Sequence, residues 1–191
     1  MKTFLSYHGI HMSNNIRSHR DKTPVLGKRV YVDHAAIIIG DVDLGDDVSV
    51  WPGAVIRGDM HKIKVGCRSN IQDNAVLHIT HSSAFNPDGW PLVIGDDVIV
   101  GHGAILHGCK LGSRILVGNG AIVNDGAVIQ NEVIVGAGTV VPPGKILESG
   151  NLYVGSPARV LRQISKKERE FFIYSPENYV RLKDQYLKDR E

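Results

Sequence analysis

Three histidines of this 191-residue chain, His78, His102 and His107, are the side chains best suited to bind a metal ion. Neutral imidazole is a common ligand of Zn²⁺, and two imidazoles held close together can share a cation, whereas two protonated rings repel each other. A single surface histidine is usually only solvated, so the presence of histidines by itself indicates little. Whether these three could act together depends on how the chain positions them.

A sixfold repeat of aliphatic residues dominates residues 94–147. Four residues after most of these aliphatics comes a small or branched side chain, such as Ala104 or Val133. A helix needs apolar residues at intervals of about 3.6 and an alternating strand at every second position, so this spacing predicts a short strand, a turn and repetition. Each hexad then forms one flat side of a coil, with its aliphatic residue facing inward. With one step of five, the repeat comprises Ile94, Val100, Leu106, Leu111, Val117, Val123, Ile129, Val135, Val141 and Leu147.

The same coil is predicted to begin near residue 21 and to be interrupted twice. Two larger gaps in the repeat, at residues 57–64 and 78–93, are interpreted as loops that leave the coil. Three hexads then form one turn of about eighteen residues with a triangular cross-section. One side stacks the hexads that start at Ile39, Ile56, Leu77, Leu106, Val123 and Val141, and another stacks those that start at Val50, Ile71, Val100, Val117 and Val135.

This register predicts where the three histidines lie. His78 and His107 each follow the first aliphatic of a hexad on the same side of the coil. The number of residues between them equals one turn, about eighteen residues, plus the extra length of the long loop. They should lie one above the other at the strand spacing of about 4.8 Å, with Arg57 one turn below. His102 belongs to another side, above Asp73. One subunit cannot easily bring all three together, so we expect the third ligand from a second copy in a closed threefold ring.

Composition excludes several classes of protein. The formal net charge is +2 and no dense Lys/Arg stripe precedes the C-terminal tail, which argues against nucleic acid as a partner. No apolar run of about eighteen residues is present to span a membrane. Cys67 and Cys109 lack CxxC spacing and are interpreted as reduced thiols of a cytoplasmic protein. The first eleven residues carry too little positive charge and too few apolar residues for a signal peptide.

The chain is predicted to comprise three segments. Residues 1–20 would form a flexible N-terminal extension, residues 21–163 the coil and residues 164–191 a C-terminal helical segment. Ser165 and Glu168 have the spacing of a capping box that starts a helix, and Ser175 with Pro176 is expected to restart it. One face of this helix would carry Tyr179, Leu182 and Tyr186.

Three motifs of the coil resemble the γ-class carbonic anhydrases, and more closely their bacterial branch of short, carbonic-anhydrase-like hexapeptide-repeat proteins. They are RGD at residues 57–59, NIQDNAVLH at residues 70–78 and GHGAILHG at residues 101–108. The resemblance extends over residues 21–188. It implies a left-handed parallel β-helix that assembles as a homotrimer, so that the fold class is all-β with a C-terminal α-helix.

The resemblance also implies a metal centre and a reaction. His78 and His107 of one subunit, together with His102 of the next, would bind Zn²⁺, with Fe²⁺ or Co²⁺ as alternatives because imidazole suits all three. Three neutral ligands leave room for a water whose pKa the cation lowers toward about 7, which supplies a nucleophile for carbon dioxide at neutral pH. The protein would thus interconvert carbon dioxide and bicarbonate.

Several polar residues acquire roles by the same resemblance. Gln72 would hydrogen-bond the water on the metal. Salt bridges at the subunit boundary would involve Arg57, Asp59 and Asp73, and Arg57 could grip a carboxylate through two parallel hydrogen bonds. A structural role for this charged set in holding the trimer is favoured over a direct catalytic one.

Two positions depart from the family's pattern. The archetypal members have glutamates implicated in proton movement where this chain has Met60 and, approximately, His81. A methionine cannot transfer a proton, whereas His81 on the long loop could do so. Tyr174 matches a tyrosine that the bacterial branch carries near the site, where it would help to place a proton or a water. Plain aromatic packing explains Tyr174 equally well.

Three functions remain open at this point. The first is a trimeric zinc hydro-lyase acting on carbon dioxide and bicarbonate. The second is a metal-binding protein of the same fold with little such activity, because the acidic proton shuttle is missing. The third is a hexapeptide acyltransferase, which shares the coil and often uses one histidine as a base; the predicted pair of histidines is unnecessary for that mechanism.

Overall fold

The computed structural model describes residues 15–189 and places them in short strands followed by one helix. Most strands are short because each forms a single flat side of the coil before the chain turns. The strands are β1 (Ile16–Arg17), β2 (Val25–Leu26), β3 (Tyr31–Val32), β4 (Ile37–Leu44), β5 (Ser49–Val50), β6 (Val55–Val65), β7 (Asn70–Ile71), β8 (Val76–His78), β9 (Leu92–Ile94), β10 (Ile99–Val100), β11 (Ile105–His107), β12 (Lys110–Leu111), β13 (Leu116–Val117), β14 (Ile122–Val123), β15 (Val128–Ile129), β16 (Ile134–Val135), β17 (Val140–Val141), β18 (Ile146–Leu147), β19 (Asn151–Val154) and β20 (Arg159–Gln163), and the helix is α1 (Lys166–Lys188).

Successive windings pair in parallel and build three flat faces. The first face contains β8, β11, β14 and β17, the second contains β7, β10, β13, β16 and β19, and the third contains β9, β12, β15 and β18. The longer strands β4 and β6 continue around a corner and so belong to the first and third faces at once. Antiparallel β20 ends the second face. The predicted all-β coil with a C-terminal helix is confirmed.

Inward-facing aliphatic side chains fill the coil. The predicted first column is confirmed except at its start, where Ile38, not Ile39, pairs with Ile56 and is buried. Three consecutive isoleucines hide the phase of the repeat there, and a shift of one residue turns a side chain to the opposite face. The two buried columns are Ile38, Ile56, Leu77, Leu106, Val123 and Val141, and Val50, Ile71, Val100, Val117 and Val135.

The first gap in the repeat is not a loop, contrary to our expectation. Residues 57–64 remain within β6 and continue alongside β4. The extra residues, 59–62, bulge opposite Asp41, where the register between the two strands shifts. A bulge accommodates additional residues without breaking the pairing on either side of it, so the chain adds length here without leaving the coil.

The second gap does form the predicted loop. Residues 79–91 leave the coil after His78, and a bridge between Thr80 and Trp90 closes the base of the loop. Phe85 lies fully exposed near the tip. Of the two predicted excursions, this one therefore projects from the coil and the first does not, and it leaves directly beside one of the candidate metal ligands.

The N-terminal boundary also differs from the prediction. Ile16 pairs in parallel with Ile38, and Arg17 with Ile39, so the winding begins before residue 21. Residues 15–20 belong to the segment that we expected to be flexible, and in the structure part of that segment is a strand. The remaining residues of the predicted extension, 1–14, lie outside the described residues.

The C-terminal segment is one continuous helix. The capping box of Ser165 and Glu168 is confirmed, but the predicted restart at Ser175 and Pro176 is wrong because Pro176 lies inside α1. Proline removes one backbone hydrogen-bond donor from a helix. Phe172, Ser175 and Pro176 are all buried, and this packing offsets the lost bond. No helix within residues 15–189 has the length and apolar character needed to cross a membrane.

The coil turns at three corners, and residues with positive φ occur at each. The charged corner carries charged side chains in this conformation, with φ between 52° and 60°: Arg29, Asp47, Arg68, Asp97, Arg114 and Glu132. The glycine corner carries Gly53, Asn74, Gly103, Gly120 and Gly138, and the histidine corner carries Gly108, Gly126 and Gly144. A non-glycine residue in the left-handed conformation costs about 1–2 kcal/mol. Neighbouring windings of the charged corner offset part of this cost through the pairs Arg29–Asp47, Arg68–Asp97 and Arg114–Glu132.

Helix α1 runs along the coil and is anchored to the charged corner at two points. Arg169 lies 2.5 Å from Glu132, and the fully buried Lys183 lies 3.0 Å from Asp47. The helix rises about 21 Å between the two basic residues, close to the separation of about 19 Å expected for the four windings between the two acidic ones. Tyr179 and Tyr186 of the predicted helix face pack edge-on against the ring of Trp51.

Candidate metal centre

Two of the three predicted ligands meet at the histidine corner. The Cα atoms of His78 and His107 are partners in the pairing of β8 with β11, which confirms the predicted stacking. The two rings tilt toward each other with centroids 5.0 Å apart, and His78 Nδ1 lies 3.0 Å from His107 Nε2. The side chain of His78 is 12% exposed and that of His107 is 34% exposed. The pair is therefore partly shielded from water yet open on one side.

The outer nitrogen of each ring is bound to a carboxylate. His78 Nε2 lies 3.2 Å from Asp59 Oδ1, and His107 Nδ1 lies 2.6 Å from Asp125 Oδ1. Because a carboxylate only accepts hydrogen bonds, the outer nitrogen of each ring is the one that would carry the proton when that ring is neutral. The facing nitrogens then both present lone pairs at 3.0 Å. Two such lone pairs repel each other unless a cation lies between them.

This geometry fits a shared metal ion. Two nitrogens at about 2.05 Å from a tetrahedral Zn²⁺ are about 3.3 Å apart, close to the 3.0 Å between the facing nitrogens. Imidazole nitrogen is a suitable ligand for Zn²⁺, Fe²⁺ and Co²⁺ alike. The carboxylates on the outer nitrogens supply the second set of contacts that metal-binding histidines commonly make.

The electrostatics of the site favour a neutral ring at His78. Burial lowers the pKa of His78, and the nearby Arg57 lowers it further, while the hydrogen bond to Asp59 acts in the opposite direction. Burial by itself would raise the pKa of Asp59, but hydrogen bonds from Arg57 and His78 outweigh it and hold that pKa below its usual value. A neutral imidazole beside an ionised carboxylate is the protonation state that metal binding requires.

The third predicted ligand lies elsewhere in the same chain. His102 is on the glycine corner, 55% exposed, with Nδ1 3.0 Å from Asp73 Oδ2. This ion pair agrees with the predicted placement of His102 one winding above Asp73. Within residues 15–189, no group of three or more His, Cys, Asp or Glu side chains is placed to hold a metal ion. One chain thus brings together two of the three histidines and not the third.

The charged residues that we expected at a subunit boundary are paired within the chain. Arg57 binds Asp59 through a single nitrogen, Nη1, rather than through two parallel hydrogen bonds. Asp73 pairs with His102. Arg57 and Asp59 therefore belong to the surroundings of His78, and Asp73 to those of His102.

Gln72 is buried on the second face beneath α1. Its Nε2 donates hydrogen bonds to Asn70 Oδ1 at 3.2 Å and to the hydroxyl oxygen of Tyr179 at 2.7 Å. Burial raises the pKa of Tyr179, so that its phenol stays neutral. A small pocket of about 140 Å³ lies between Gln72, Tyr179 and the apolar side chains of Ile99, Leu116 and Phe171. The amide nitrogen of Gln72 is held in place, and its carbonyl oxygen is the atom left to accept a further hydrogen bond.

The other two predicted catalytic residues lie further out. Tyr174 is 57% exposed on α1 and its ring contacts Phe171, with centroids 6.3 Å apart. It is Tyr179, not Tyr174, that reaches Gln72. His81 is exposed near the base of the loop at residues 79–91. Neither His81 nor Tyr174 is among the residues that bond to the histidine pair, and their roles stay predictions.

Two residues of this centre were missed from the sequence. Asp125 binds His107, and Thr80 Oγ1 donates a hydrogen bond to Asp125 Oδ2 at 2.8 Å. The register of β11 with β14 places Asn124 one winding after His107, and Asp125 is the next residue along the chain, so the register that aligned the histidines did not point to Asp125. Tyr179 was assigned only to a helix face, because the distance of 107 residues between it and Gln72 leaves no local pattern.

Comparison with known proteins defines the class. A family model described as "Bacterial transferase hexapeptide (six repeats)" matches residues 23–58. The crystal structure of a hexapeptide transferase family protein from Anaplasma phagocytophilum is similar with a TM-score of 0.84 and 38% identity, covering 92% of this chain and 99% of that chain. Together with the winding of the strands, these likenesses define a hexapeptide-repeat protein.

Similar sequences define the family within that class. Protein YrdA of Escherichia coli (strain K12) is 52% identical over 176 residues, which cover 92% of this chain and 96% of that protein. A probable carbonic anhydrase of Methanocaldococcus jannaschii is 43% identical over 84% of this chain and 96% of that protein. Gamma carbonic anhydrase 1, mitochondrial, of Arabidopsis thaliana is 39% identical over 85% of this chain and 58% of that protein. The chain belongs to the γ-class carbonic anhydrase family, as its motifs predicted.

Proposed function

We propose that this protein is a homotrimeric, metal-dependent carbonic anhydrase that interconverts carbon dioxide and bicarbonate at sites between its subunits. The observation that carries the proposal is the His78–His107 pair, whose facing nitrogens lie 3.0 Å apart while both outer nitrogens bind carboxylates. Zn²⁺ is the first candidate for the metal, with Fe²⁺ or Co²⁺ as alternatives. The relatives named carbonic anhydrases support the reaction. The two free cysteines fit a reducing cytoplasm as its location.

The third ligand in this proposal is His102 of a neighbouring subunit. His102 lies on the glycine corner, where its ring is 55% exposed. Gly103, Gly120 and Gly138 of that corner would each have open space around an added Cβ atom among the described residues. A bare edge of this kind allows close approach of a second chain. The glycine corner of one subunit would therefore pack against the histidine corner of the next, and a closed ring would repeat this contact three times.

Gln72 would orient the attacking water. When bound, the cation would lower the pKa of a water at its open position toward about 7 and so supply a nucleophile for carbon dioxide. Gln72 lies beside Gly101, and hence next to His102, because its backbone N–H binds Val100 O. Asn70 and Tyr179 fix its Nε2, so the carbonyl oxygen can accept a hydrogen bond from that water. This hydrogen bond would orient the water so that an oxygen lone pair points toward the carbon atom of carbon dioxide.

Proton release is assigned to His81 and Tyr174 as further parts of the proposal. His81 is exposed on the loop next to ligand His78, where an imidazole can pass a proton to solvent near neutral pH. Tyr174, exposed on α1, would help to place a proton or a water. Arg57, Asp59 and Asp73 would keep the ligand histidines in position through the pairs described above and contribute to the boundary.

Metal analysis tests the centre. Purified protein reconstituted with Zn²⁺, Fe²⁺ or Co²⁺ should retain about one ion per subunit, and light scattering should give a trimer. His107→Ala and His102→Ala should each lose the ion, because each removes one of three ligands. His34→Ala, which alters an exposed histidine outside the centre, should retain it. A monomer, or full metal content in His107→Ala, would show that the site is wrong.

Activity assays on the same samples separate the three functions. Stopped-flow hydration of carbon dioxide should be catalysed by the metal-loaded protein and lost in His107→Ala. A trimer that binds metal but does not hydrate carbon dioxide would support the second function, a metal-binding protein without this activity. The similar structure from Anaplasma phagocytophilum is named for transferases, so acyl transfer from a coenzyme A donor should also be assayed; activity there that persists in the absence of metal would support the third function.

A further inference from the structure

Asp125 is the most closely bound neighbour of the histidine pair, and the resemblance to the carbonic anhydrases assigned it no role. Its Oδ1 lies 2.6 Å from His107 Nδ1, and its Oδ2 accepts a hydrogen bond of 2.8 Å from Thr80 Oγ1. Both oxygens of the carboxylate therefore have a partner. The arrangement parallels that at His78, where Asp59 binds the ring and Arg57 binds Asp59. At His107, however, the outermost donor comes from the loop rather than from the coil.

The contact with Asp125 is placed to determine which nitrogen of His107 carries the proton. A neutral imidazole has one N–H and one lone pair, and the hydrogen bond made by one nitrogen sets the state of the other. With the proton held on Nδ1 by Asp125, the lone pair of His107 lies on Nε2. That atom is the one 3.0 Å from His78 Nδ1. In the alternative tautomer, Nε2 would carry a proton and could not bind a metal ion.

The loop at residues 79–91 is seated against the same corner. A Cβ atom added to Gly126 would lie 3.1 Å from the indole ring of Trp90, and one added to Gly108 would lie 2.6 Å from Trp90 Cβ. These glycines directly follow Asp125 and His107 in the chain. The Thr80–Trp90 bridge closes the base of the loop. Trp90 thus packs the loop onto the coil, and this packing places the Thr80 hydroxyl over Asp125.

We propose that Asp125 is a positioning residue that holds His107 in its metal-binding tautomer, and that Thr80 couples the loop to the metal centre by aligning Asp125. The proposal rests on the proposed function only in taking His107 as a metal ligand. Metal-binding histidines commonly donate their second N–H to a carboxylate, and loss of that partner weakens metal binding about 10- to 100-fold. The new element is that the loop outside the coil contributes to this contact.

Nuclear magnetic resonance of the metal-free protein gives a readout that a merely structural role would not change. In protein labelled with ¹⁵N at histidine, the ring nitrogen shifts of His107 should report the Nδ1–H tautomer at a pH where the ring is neutral. Asp125→Ala should shift the ring toward the Nε2–H form. Asp125→Asn preserves the shape and one acceptor oxygen, and should retain more of the Nδ1–H tautomer than Asp125→Ala does.

Competition with a chromogenic chelator gives the second readout, the dissociation constant for Zn²⁺. Asp125→Ala should weaken binding about 10- to 100-fold, and Thr80→Val about 2- to 10-fold, the equivalent of one hydrogen bond. The double variant should bind no more weakly than Asp125→Ala, because Thr80 acts through Asp125. Asp97→Ala, which removes a carboxylate from the charged corner, should leave the constant unchanged, and thermal unfolding of each variant confirms that it folds.

The outcomes distinguish this proposal from the proposed function. If His107→Ala loses the metal while Asp125→Ala keeps both the tautomer and the affinity of the unaltered protein, the positioning role is wrong and the metal site stands. If His107→Ala keeps the metal, the site itself is wrong. Additive effects of Thr80→Val and Asp125→Ala would disprove the coupling through the loop.

Discussion

The charged corner and the glycine corner share the left-handed backbone conformation but differ in their side chains. Residues with charged side chains adopt it on the first corner, and mostly glycines adopt it on the second. On the charged corner, one charged residue from each of six successive windings adopts a φ value between 52° and 60°. On the glycine corner, Gly103 and Gly120 have φ values of 65°. The charged corner shows that other residues tolerate this conformation, so we infer that the open space outside Gly103 and Gly120, as well as the backbone, favours glycine on the other corner.

Each corner also has its own partner. The charged corner holds α1 through Glu132 and Asp47, and so is used within the chain. The glycine corner carries His102, whose proposed metal ion needs a second copy. One corner is thus occupied by the protein's own helix, while the other is bare, as the proposed contact with a neighbouring subunit would require. The following substitutions test this difference, from the largest expected effect to the smallest.

Gly120→Arg should abolish the trimer and the metal bound at its interfaces. Arginine is compatible with the local backbone, since Arg114 adopts a φ of 55° on the charged corner, so the subunit should fold with a cost of about 1–2 kcal/mol. Light scattering and metal analysis measure the two losses. Lys28→Trp adds similar bulk beside the charged corner and should remain a metal-loaded trimer. A trimer in Gly120→Arg would contradict the proposed interface.

Lys183→Met should destabilise the protein by about 1–3 kcal/mol, because it removes the hydrogen bonds that a fully buried ammonium group makes to Asp47 and Asp184. Lys183 is fully buried and binds Asp47, which retains Arg29 as a second partner. Arg169→Met breaks the more exposed anchor at Glu132 and should cost about 0–1 kcal/mol. Urea denaturation of both variants measures the difference. Equal losses would mean that the two anchors of α1 are equivalent.

Arg68→Gly should be nearly neutral, whereas Arg68→Ala should be less stable by about 1 kcal/mol. Both variants lose the exposed pair with Asp97, worth about 0–1 kcal/mol. Only glycine also relieves the left-handed conformation at a φ of 56°, since alanine keeps its Cβ. Thermal unfolding of the two variants measures the conformational cost directly. Identical stabilities would show that the charged corner carries no such cost.

Glu168→Gln should have the smallest effect, and the effect should disappear in acid. Hydrogen bonds from Arg162, the Ser165 backbone and the Ser165 hydroxyl lower the pKa of Glu168 to about 2. A carboxylate whose pKa is lowered on folding stabilises the protein above its unfolded pKa and loses that contribution as the pH falls toward about 2. We expect a difference of about 0.5 kcal/mol at pH 7 for this exposed cap. Denaturation at decreasing pH should show the variant and the unaltered protein converging; a constant difference would contradict this.

The regular part of the fold and the histidine pair could be predicted because both follow from the repeat. Inward aliphatics return at fixed intervals, so counting windings placed His107 on His78 across a long loop. The same counting started the first hexad at Ile39 instead of Ile38, since three adjacent isoleucines do not show which of them faces inward. It also treated residues 57–64 as a loop, because a bulge inside a strand and a short loop have similar sequence patterns.

Contacts between distant parts of the chain account for the rest. Pro176 predicts a new helix start by local rules, and only burial against the coil explains its place within α1. Tyr179 reaches Gln72 because the helix returns along the coil, a path that no local pattern specifies. Thr80 reaches Asp125 because Trp90 seats the loop. These positions depend on tertiary packing, and the periodicity of the repeat carries no information about it.

The path of α1 has a consequence for how the molecule comes apart. In a solenoid, each winding contacts only its neighbours, so unfolding can begin at an end and proceed one winding at a time. Here a single helix ties an early winding at Asp47 to a late one at Glu132. Unfolding that starts at either end must therefore break one attachment of α1 before the windings between Asp47 and Glu132 can separate. These windings should unfold together in one cooperative step.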